Sequence, residues 1–356
     1  MSTGEAQRPV RWGILGAAKI ATIVGRAIHN ARGSQLAAIA SRNLARARDW
    51  IADHTVGAPA VADRQPFLPP AAEVIPRGSY LELLQDPHID AVYIPLPPAL
   101  HCEWTCRAAE HGKHVLCEKP LALSLDEARR MADACRQSGR QLMDGVMWHH
   151  HPRTAAMKSV LESGELGPLR HVTSAFSFNA LAKLQPDDIR FQHGMGGGVL
   201  GDVGWYCVTA ALWAFGELPE RVYATARYDR GVDISLNAIL WFRGERSASF
   251  NCGFDAVWRK WLEVAGSQGT LVCDDFVNPW DAAKARFWVH GSQGQGTQHA
   301  HGGCIQEVRM IEDFGDIVRS GRLDPHWPAV ALATQTVVDA IAESARQEKV
   351  VEVRAV

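Results

Sequence analysis

The chain has 356 residues, of which 47% are hydrophobic, and a formal net charge of −2 at pH 7. A chain of this length can bury a sizeable core and is expected to form two domains. The balanced charge argues against a broad surface for nucleic acid or anionic lipid, and no apolar run reaches the roughly 20 residues that cross a bilayer. We therefore expect neither nucleic acid nor a membrane as a partner.

The start of the chain and its cysteines favour the cytoplasm. MSTGEAQRPVRWGILGA is polar and leads directly into a strand, without the charged, apolar and small-residue zones of a secretory signal. The eight cysteines are scattered and form no pair of CxxC motifs. This is typical of reduced thiols rather than of zinc ligands or disulfides.

The first 147 residues alternate short apolar runs with helical patterns. VRWGIL, QLAAIA, AVYIPLP and HVLC are continuously apolar. Such strands, separated by helices, are typical of a parallel sheet covered on both faces. Residues 1–147 are therefore predicted to form an α/β domain with a doubly wound parallel sheet, a Rossmann fold. The Pro- and Ala-rich stretch 56–78 lacks periodicity and predicts a long surface loop.

A different pattern begins at residue 148. After a helical segment near 153–163, RVYATARY, DISLNAILWF and SASFNCGF follow one another with short turns and almost no helix between them. Residues 148–356 are predicted to form an α+β domain with a large, mostly antiparallel, open-faced sheet. The Gly, Gln and His stretch near 291–303 predicts a mobile loop, and two amphipathic helices end the chain.

A candidate dinucleotide site follows the first strand. VRWGIL leads into a glycine and then a helix, whose N-terminal amides and dipole favour a pyrophosphate. Aligned with GxGxxG/A, the sequence gives GxAxxA. By itself this motif is equally consistent with a glycine that merely ends a strand. The predicted cofactor-binding residues of this turn are Gly16, Ala17, Ala18, Lys19 and Ile20.

The end of the second strand indicates which nicotinamide cofactor binds. Ser41 and Arg42 stand where an NAD-preferring domain usually carries Asp or Glu for the ribose 2′-hydroxyl. Arg42, with Ser41 and Arg46, can hold a 2′-phosphate by charge-assisted hydrogen bonds. The sequence therefore favours NADP over NAD. The alternative is a solvated basic start of a helix.

Two further strand ends are expected at the cofactor edge, because ligands of an open parallel sheet bind outside the carboxyl ends of its strands. HVLCEKP places Lys119 there, where its ammonium can lie beside the nicotinamide and the substrate. The alternative is a solvated loop lysine. Pro120 follows, and X-Pro bonds are the only peptide bonds that adopt cis at low cost. The predicted cofactor-binding residues at these two strand ends are Leu96, Pro97, His101, Glu118 and Lys119.

The segment GMGGGVLGDVGWYC is a glycine cluster that opens a helical pattern containing Asp202 and Tyr206. One helical turn apart, these two side chains share a face and can converge on one small molecule. An ammonium within about 4 to 6 Å favours a phenolate and lowers the pKa of a tyrosine from about 10. Lys119 can supply that charge. The alternative is an Asp at a helix start and a core tyrosine.

With these motifs the chain resembles the Gfo/Idh/MocA oxidoreductases, named after glucose-fructose oxidoreductase and inositol dehydrogenase. The resemblance rests on GILGAAKIA, YIPLPPALH, HVLCEKPLAL and GGGVLGDVGWYC, in this order, and spans nearly the whole chain. It implies that Lys119 is catalytic and that its peptide bond to Pro120 is cis.

The tyrosine version of the last motif resembles one branch of this family. That branch contains glucose-fructose oxidoreductase, dimeric dihydrodiol dehydrogenase and NADP-dependent D-xylose dehydrogenase. Ser41 and Arg42 agree with it, as does the DDIR segment that ends in Arg190.

Together these features predict an oxidoreductase that transfers a hydride between NADP and a carbinol carbon of a sugar, such as xylose or glucose, or of a cyclic diol. In this hypothesis Tyr206 accepts the hydroxyl proton, Lys119 lowers its pKa, and Asp202 orients the substrate. Arg190 and His193 are candidates for contacts with substrate hydroxyls. No metal is expected, because residues 149–151, three adjacent histidines, would point alternately to opposite faces of an extended segment.

Two other functions are compatible with the sequence. One is an NAD-dependent inositol or amino-sugar dehydrogenase. The other is a non-catalytic regulatory protein that senses NAD(P), since a fold does not fix a function. A regulator would be expected to lose Lys119 or Tyr206, and both are present.

The open face of the second sheet has a consequence for assembly. It would expose apolar surface in a monomer, and exposed apolar patches commonly mark interfaces between subunits. Members of the family that the chain resembles assemble in this way. We therefore expect a homodimer or homotetramer formed through the antiparallel sheet.

Overall fold

The computed structural model describes residues 8–58, 66–69 and 73–354. Over these residues the chain divides into two compact units. Unit 1 comprises the chain up to residue 121 together with 126–145 and 307–328, and unit 2 comprises 122–125, 146–306 and the chain from 329 onward.

The helices and strands alternate along unit 1, whereas strands dominate unit 2. The α-helices are α1 (Lys19–Asn30), α2 (Leu44–His54), α3 (Tyr80–Leu84), α4 (His101–Glu110), α5 (Leu125–Gln137), α6 (Pro152–Ser163), α7 (Ala180–Lys183), α8 (Trp205–Phe215), α9 (Gln306–Ser320) and α10 (His326–Gln347). The strands are β1 (Val10–Leu15), β2 (Ser34–Ala40), β3 (Ile75–Arg77), β4 (Ala91–Ile94), β5 (His114–Cys117), β6 (Leu142–Asp144), β7 (Leu169–Ser177), β8 (Arg221–Asp229), β9 (Val232–Phe242), β10 (Arg246–Gly253), β11 (Arg259–Gly266), β12 (Gly269–Cys273), β13 (Arg286–Gly291), β14 (Gly296–Ala300) and β15 (Val351–Glu352).

The described strands of unit 1 form one six-stranded parallel sheet, in the order β3-β2-β1-β4-β5-β6. This is the strand order of a doubly wound dinucleotide-binding fold, so the predicted Rossmann fold is confirmed. Trp12, Ile14 and Leu15 of β1 are fully buried. Their strand is apolar without interruption because helices cover both faces of the sheet.

The stretch 56–78 contains more structure than predicted. Its last part forms β3, which pairs in parallel with the end of β2. Leu68 forms an isolated bridge with Thr55 and is buried. The prediction of a loop is therefore wrong for β3, because an edge strand of three residues is too short to show a hydrophobic period. Residues 59–65 and 70–72 lie outside the described part of the chain.

Helix α9 belongs to unit 1, although its sequence position suggested the second domain. Phe314 packs against Trp12 with ring centroids 5.1 Å apart, and both rings are fully buried. Arg319 donates a hydrogen bond to the carbonyl of Gly33 at 2.6 Å. The apolar stripe of an amphipathic helix does not identify the surface that it covers. Only the tertiary contacts show that α9 belongs to unit 1.

The described strands of unit 2 form a nine-stranded sheet, in the order β14-β13-β12-β11-β7-β10-β9-β8-β15. Among these neighbours only β7 and β10 run parallel, which confirms the predicted mostly antiparallel sheet. The stretch 291–303 was predicted as a loop but contains β14, which pairs with β13. Its Gly, Gln and His residues give no apolar alternation that would indicate a strand.

One face of this second sheet carries exposed apolar side chains. Along β9, buried residues alternate with partly or fully exposed ones, as expected when the two faces of a sheet differ. Ile239 of β9 is 42% exposed and Trp261 of β11 is 37% exposed.

The segment His193–Phe215 is long and apolar enough to cross a membrane by length and composition. Within the protein, however, 67% of its apolar window is buried. Burial of this extent is typical of a core helix, and this segment carries the helical part of the candidate site.

Candidate active site

The turn between β1 and α1 requires a glycine. Gly16 has a φ of +126° and donates its amide to the carbonyl of Ala40 at 2.9 Å. A β-carbon at this position would lie 3.0 Å from the side chain of Leu96. Ala18 precedes α1 and offers no capping side chain, so the first amides of the helix suit a phosphate. The other predicted residues of this turn, Ala17, Lys19 and Ile20, are partly or fully exposed at the start of α1.

The end of β2 carries two cations that suit a 2′-phosphate. Arg42 and Arg46 are exposed, and within the described residues neither forms an ion pair. Both affect the pKa of the Tyr80 hydroxyl. Burial raises that pKa, and the positive charges of the two guanidinium groups oppose the rise. Ser41 is buried, and its amide donates to the carbonyl of Arg77 at 3.1 Å. The residues present therefore fit a phosphorylated ribose better than a free 2′-hydroxyl.

His101 connects the segments that follow β4 and β5. Its Nε2 lies 2.7 Å from the carbonyl oxygen of Leu96, and its Nδ1 lies 2.9 Å from that of Pro120 and 3.2 Å from that of Leu121. The ring is fully buried. Burial lowers the pKa of His101, and the three carbonyl groups oppose this effect. The imidazole thus shapes the two segments through their backbone. Leu96 is buried and Pro97 is half-buried.

The carboxylate of Glu118 is used to fix the backbone at Lys119. The Tyr93 hydroxyl donates to Glu118 Oε1 at 2.6 Å, and the Lys119 amide donates to Glu118 Oε2 at 3.2 Å. A β-carbon on Gly145 would lie 2.9 Å from the same carboxylate. The peptide bond between Lys119 and Pro120 is cis, as the resemblance implied.

Asp202 and Tyr206 lie at the start of the helix that packs under the sheet of unit 2. Residues 200–204 form a π-helical turn that continues into α8. Such turns are rare and are often found at functional sites. Asp202 lies in this turn, and Tyr206 lies in the first turn of α8, where its ring meets Phe176 edge-on at 5.4 Å between centroids.

The structure brings Arg190 and Asp202 together. Arg190 Nε donates to Asp202 Oδ2 at 2.7 Å, and Arg190 Nη1 donates to Asp188 Oδ1 at 3.1 Å. The charge of Asp202 is the main cause that raises the pKa of Arg190. His193 lies nearby in the chain, is exposed, and forms no side-chain hydrogen bond within the described residues. Arg190 therefore belongs to an ion-pair cluster with Asp188 and Asp202, whereas the side chain of His193 is exposed.

No sequence motif indicated the carboxylate that fixes the start of this helix. Asp233 of β9 accepts a hydrogen bond from the amide of Leu200 at 2.7 Å. Burial raises the pKa of Asp233, and backbone amides oppose this rise. The pairing of β8 and β9 is irregular beside it, and such bulges re-aim side chains. No local pattern could indicate this bond, because the two residues belong to different elements.

An aromatic wall also escaped the sequence analysis. Trp258 stacks on Phe178 at 5.1 Å between ring centroids, and it lies 6.2 Å from Phe176, which in turn contacts Tyr206. Trp258 is 47% exposed. The wall therefore leads from the candidate catalytic phenol to solvent.

The three adjacent histidines contribute to structure in unit 2. His151 Nδ1 accepts a hydrogen bond from the Arg153 amide at 3.0 Å and thereby caps α6. Among the described residues, no group of three or more His, Cys, Asp and Glu side chains is arranged to hold a metal ion.

These features together define a class of protein. A doubly wound sheet carries a glycine turn before α1, basic residues after β2 and a lysine after β5, and a second unit presents an Asp and a Tyr on one helix. This combination is that of a nicotinamide-dependent oxidoreductase.

Family models identify the particular group. The model described as "Oxidoreductase family, NAD-binding Rossmann fold" matches residues 10–146, and the GFO/IDH/MocA C-terminal domain matches residues 154–272. The chain therefore belongs to the Gfo/Idh/MocA family and is an NAD(P)-dependent oxidoreductase, as the resemblance predicted.

Individual proteins are similar over most of the chain. D-xylose 1-dehydrogenase (NADP(+)) 2 of Haloferax volcanii is 35% identical over 343 residues, which cover 96% of this chain and 99% of that protein. Trans-1,2-dihydrobenzene-1,2-diol dehydrogenase of Danio rerio is 33% identical and covers 74% of this chain and 73% of its own length. The crystal structure of the 3-ketoreductase KijD10 from Actinomadura kijaniata, in complex with NADP and TDP-benzene, superposes with a TM-score of 0.83 at 30% identity. It covers 95% of this chain and 98% of its own.

The glycine cluster before Asp202 provides a test of how this helix start is held. Gly198 has a φ of +127°, and a β-carbon there would lie 2.1 Å from Asp233 Oδ1. We expect Gly198→Ala to lower the free energy of unfolding by about 1 to 3 kcal/mol, because it combines backbone strain with a clash against the buried carboxylate. Urea denaturation measures this loss, and turnover should fall as Asp202 and Tyr206 are displaced.

Gly194 offers a matched control in the same cluster. A β-carbon there meets open space, and its φ lies outside the left-handed region. Gly194→Ala should change the free energy of unfolding by no more than about 0.5 kcal/mol. Equal stability of the two variants would contradict the proposed role of Asp233.

Proposed function

We propose that this protein is an NADP-dependent oxidoreductase that transfers a hydride between the nicotinamide and a carbinol carbon of a sugar or cyclic diol. The observation that carries the proposal is the pair of Asp202 and Tyr206 on one helix, with Asp202 held by Arg190 at 2.7 Å. The names of the relatives given above specify D-xylose and a dihydrobenzenediol as substrates. Both carry the carbinol groups that this chemistry needs.

Tyr206 is assigned the proton transfer. NADP, when bound, supplies the hydride acceptor or donor. The phenol oxygen of Tyr206 takes the hydroxyl proton during oxidation, and the ammonium of Lys119 favours the phenolate form. Lys119 also stabilises the negative charge that develops on the substrate oxygen.

Asp202 is assigned the orientation of the substrate. Its carboxylate accepts a hydrogen bond from a substrate hydroxyl while Arg190 keeps it in place. Arg190 and His193 are proposed as further contacts to substrate hydroxyls. The aromatic wall from Phe176 to Trp258 supports a ring-shaped substrate, because sugar and diol rings present C–H groups that pack on aromatic faces.

The cofactor residues follow the carboxyl ends of the strands in unit 1. We assign the pyrophosphate to the turn at Gly16 and the 2′-phosphate to Arg42, Arg46 and Ser41. His101 and Glu118 act through the backbone that they fix. The full set proposed for the cofactor is Gly16, Ala17, Ala18, Lys19, Ile20, Ser41, Arg42, Arg46, Leu96, Pro97, His101, Glu118 and Lys119.

Loss of the phenol tests the chemical step. We expect Tyr206→Phe to lower kcat for oxidation by about 10² to 10⁴-fold, the usual contribution of a general base. Turnover is followed by the absorbance of reduced nicotinamide with a panel of aldoses, inositols and dihydrodiols. Tyr228→Phe removes a hydroxyl from an exposed ring and should be harmless. If Tyr206→Phe kept full activity, the assignment would fail. If the wild type bound nucleotide but turned over nothing in the panel, a sensing role would be favoured.

Loss of the ammonium tests the partnership with Tyr206. Lys119→Met should lower kcat and move the acid limb of its pH profile upward, because a phenol without a neighbouring cation has a higher pKa. Lys284→Met removes an exposed charge elsewhere and should leave the profile unchanged. The double variant should be little worse than the poorer single variant, since the two groups act as a unit. Additive losses would mean that the residues act independently.

Removal of Arg42 tests the cofactor preference. Arg42→Ala should weaken NADP⁺ binding by about tenfold or more, because a charge-assisted hydrogen bond contributes about 1.5 to 3 kcal/mol, and should leave NAD⁺ binding nearly unchanged. Arg48→Ala, which removes an exposed arginine of the following helix α2, is the control. Titration of each cofactor by fluorescence measures the effect. An unchanged preference in Arg42→Ala would refute this use of Arg42 and favour the NAD-dependent alternative.

We also propose that the open face of the sheet in unit 2 forms a homodimer or homotetramer. The exposed side chains of Ile239 and Trp261 support an interface there. The eight cysteines all lie within the described residues and none of them forms a disulfide, which supports a cytoplasmic location.

A charge on this face tests the assembly. Ile239→Asp should shift the protein toward the monomer in analytical ultracentrifugation, because an unpaired carboxylate is costly in an apolar interface. Leu323→Asp changes a similarly exposed side chain in unit 1 and should not alter the assembly. Dissociation by Leu323→Asp but not by Ile239→Asp would place the interface elsewhere.

A further inference from the structure

A cavity of about 500 Å³ opens at the amino ends of the parallel strands in unit 1. It is lined by the first residue of β1, the residues just before β4, the start of β5 and the end of α9. In a parallel sheet the amino and carboxyl ends of the strands lie at opposite edges. The cavity is therefore at the other edge of the sheet from the Gly16 turn, and the cofactor residues proposed above do not line it.

Positive charge exceeds negative charge around this cavity. Asp90 is the one carboxylate among the described lining residues, and it is already engaged by the Arg8 guanidinium at 2.7 and 2.8 Å and by the Arg11 amide at 2.9 Å. Lys113 is buried and donates to two backbone carbonyl groups. The cationic side chains that line the cavity are Arg8, Lys113, Arg140 and Arg319. Arg8 is paired with Asp90 and Arg319 with Asp316, so Lys113 and Arg140 carry the excess positive charge.

Arg140 and His114 direct two hydrogen-bond donors toward the same place. The amide of Gln141 donates to His114 Nδ1 at 3.0 Å, so a neutral ring carries its proton on Nε2. Burial, assisted by the charge of Arg140, lowers the pKa of His114 to about 4, so the ring is neutral at pH 7. Arg140 Nη1 lies 3.3 Å from His114 Nε2 and is also a donor. Neither nitrogen can accept from the other.

Arg140 has further capacity to bind an acceptor. Its Nε is buried without a hydrogen-bond partner, and no carboxylate pairs with its guanidinium in the part of the chain that the structure describes. A buried charged donor without an acceptor is costly. An anionic oxygen beside His114 would satisfy donors of both side chains at once.

We propose that this cavity binds the phosphate group of a small molecule, with Arg140 and His114 donating to its oxygens and Lys113 adding positive charge. Arginine is suited to this task because its planar fork of donors matches the oxygens of a phosphate. A volume of about 500 Å³ accommodates the remainder of a small metabolite. The site uses residues of unit 1 only and goes beyond the proposed redox function.

Calorimetric titration of the full-length protein with inorganic phosphate and with pyrophosphate, at constant ionic strength, tests the proposal. We expect saturable binding that Arg140→Met weakens by about tenfold or more, the effect of losing a charge-assisted contact. Arg136→Met is the matched control: it removes the same charge from an exposed arginine on α5 that pairs with Asp133, and it should bind like the wild type. Equal binding by the two variants would overturn the proposal.

Two further variants separate this site from the cofactor site and from effects on folding. Arg42→Ala should retain the binding, and loss in Arg42→Ala with retention in Arg140→Met would place the phosphate at the cofactor turn and overturn the proposal. Arg140→Lys keeps the charge but not the planar fork, and it should bind with intermediate affinity. Its unfolding curve without ligand should match that of the wild type. Binding weaker than about 10 mM for both anions in the wild type would also overturn the proposal.

Discussion

The three carbonyl groups around His101 are the contacts on which the candidate cofactor edge depends. The two ring nitrogens of His101 lie 2.7 to 3.2 Å from the carbonyl oxygens of Leu96, Pro120 and Leu121, so one buried ring contacts the backbone of both segments. Lys119 precedes this segment, and its amide is held separately by the carboxylate of Glu118. The backbone at Lys119 is therefore held by buried polar groups that need never touch a ligand.

In unit 2, a buried carboxylate likewise holds the backbone at the helical turn that leads into α8. A helix leaves its first amides without partners inside the helix, and here the carboxylate of Asp233 reaches across from a strand to one of them. Gly198 is required because any side chain there would occupy the place of that carboxylate. Asp202 is in turn oriented by Arg190. Asp202 and the backbone at Lys119 are thus each held by a neighbouring polar residue, Arg190 and Glu118 respectively.

The two edges of the parallel sheet differ in the hydrogen-bond donors that they present. At the carboxyl ends, the Gly16 turn and the first amides of α1 offer neutral donors, and the exposed Arg42 and Arg46 add charge after β2. At the amino ends, basic side chains such as Arg140 supply the donors directly, beside a carboxylate that is already engaged. Family membership defines the reaction class, but it does not explain the basic residues at this second edge.

The sequence by itself determined the fold of both units and the identity of most candidate residues. Continuous apolar runs and the EKP and DVGWYC segments are local patterns, and burial on both faces of a sheet or on one side of a helix produces such patterns directly. The tertiary structure alone decided that α9 belongs to unit 1, that β3 and β14 are strands, and that Asp233 holds the helix of Tyr206. Those features depend on contacts between distant residues, and a short edge strand or a single long-range hydrogen bond leaves no periodic trace in the chain.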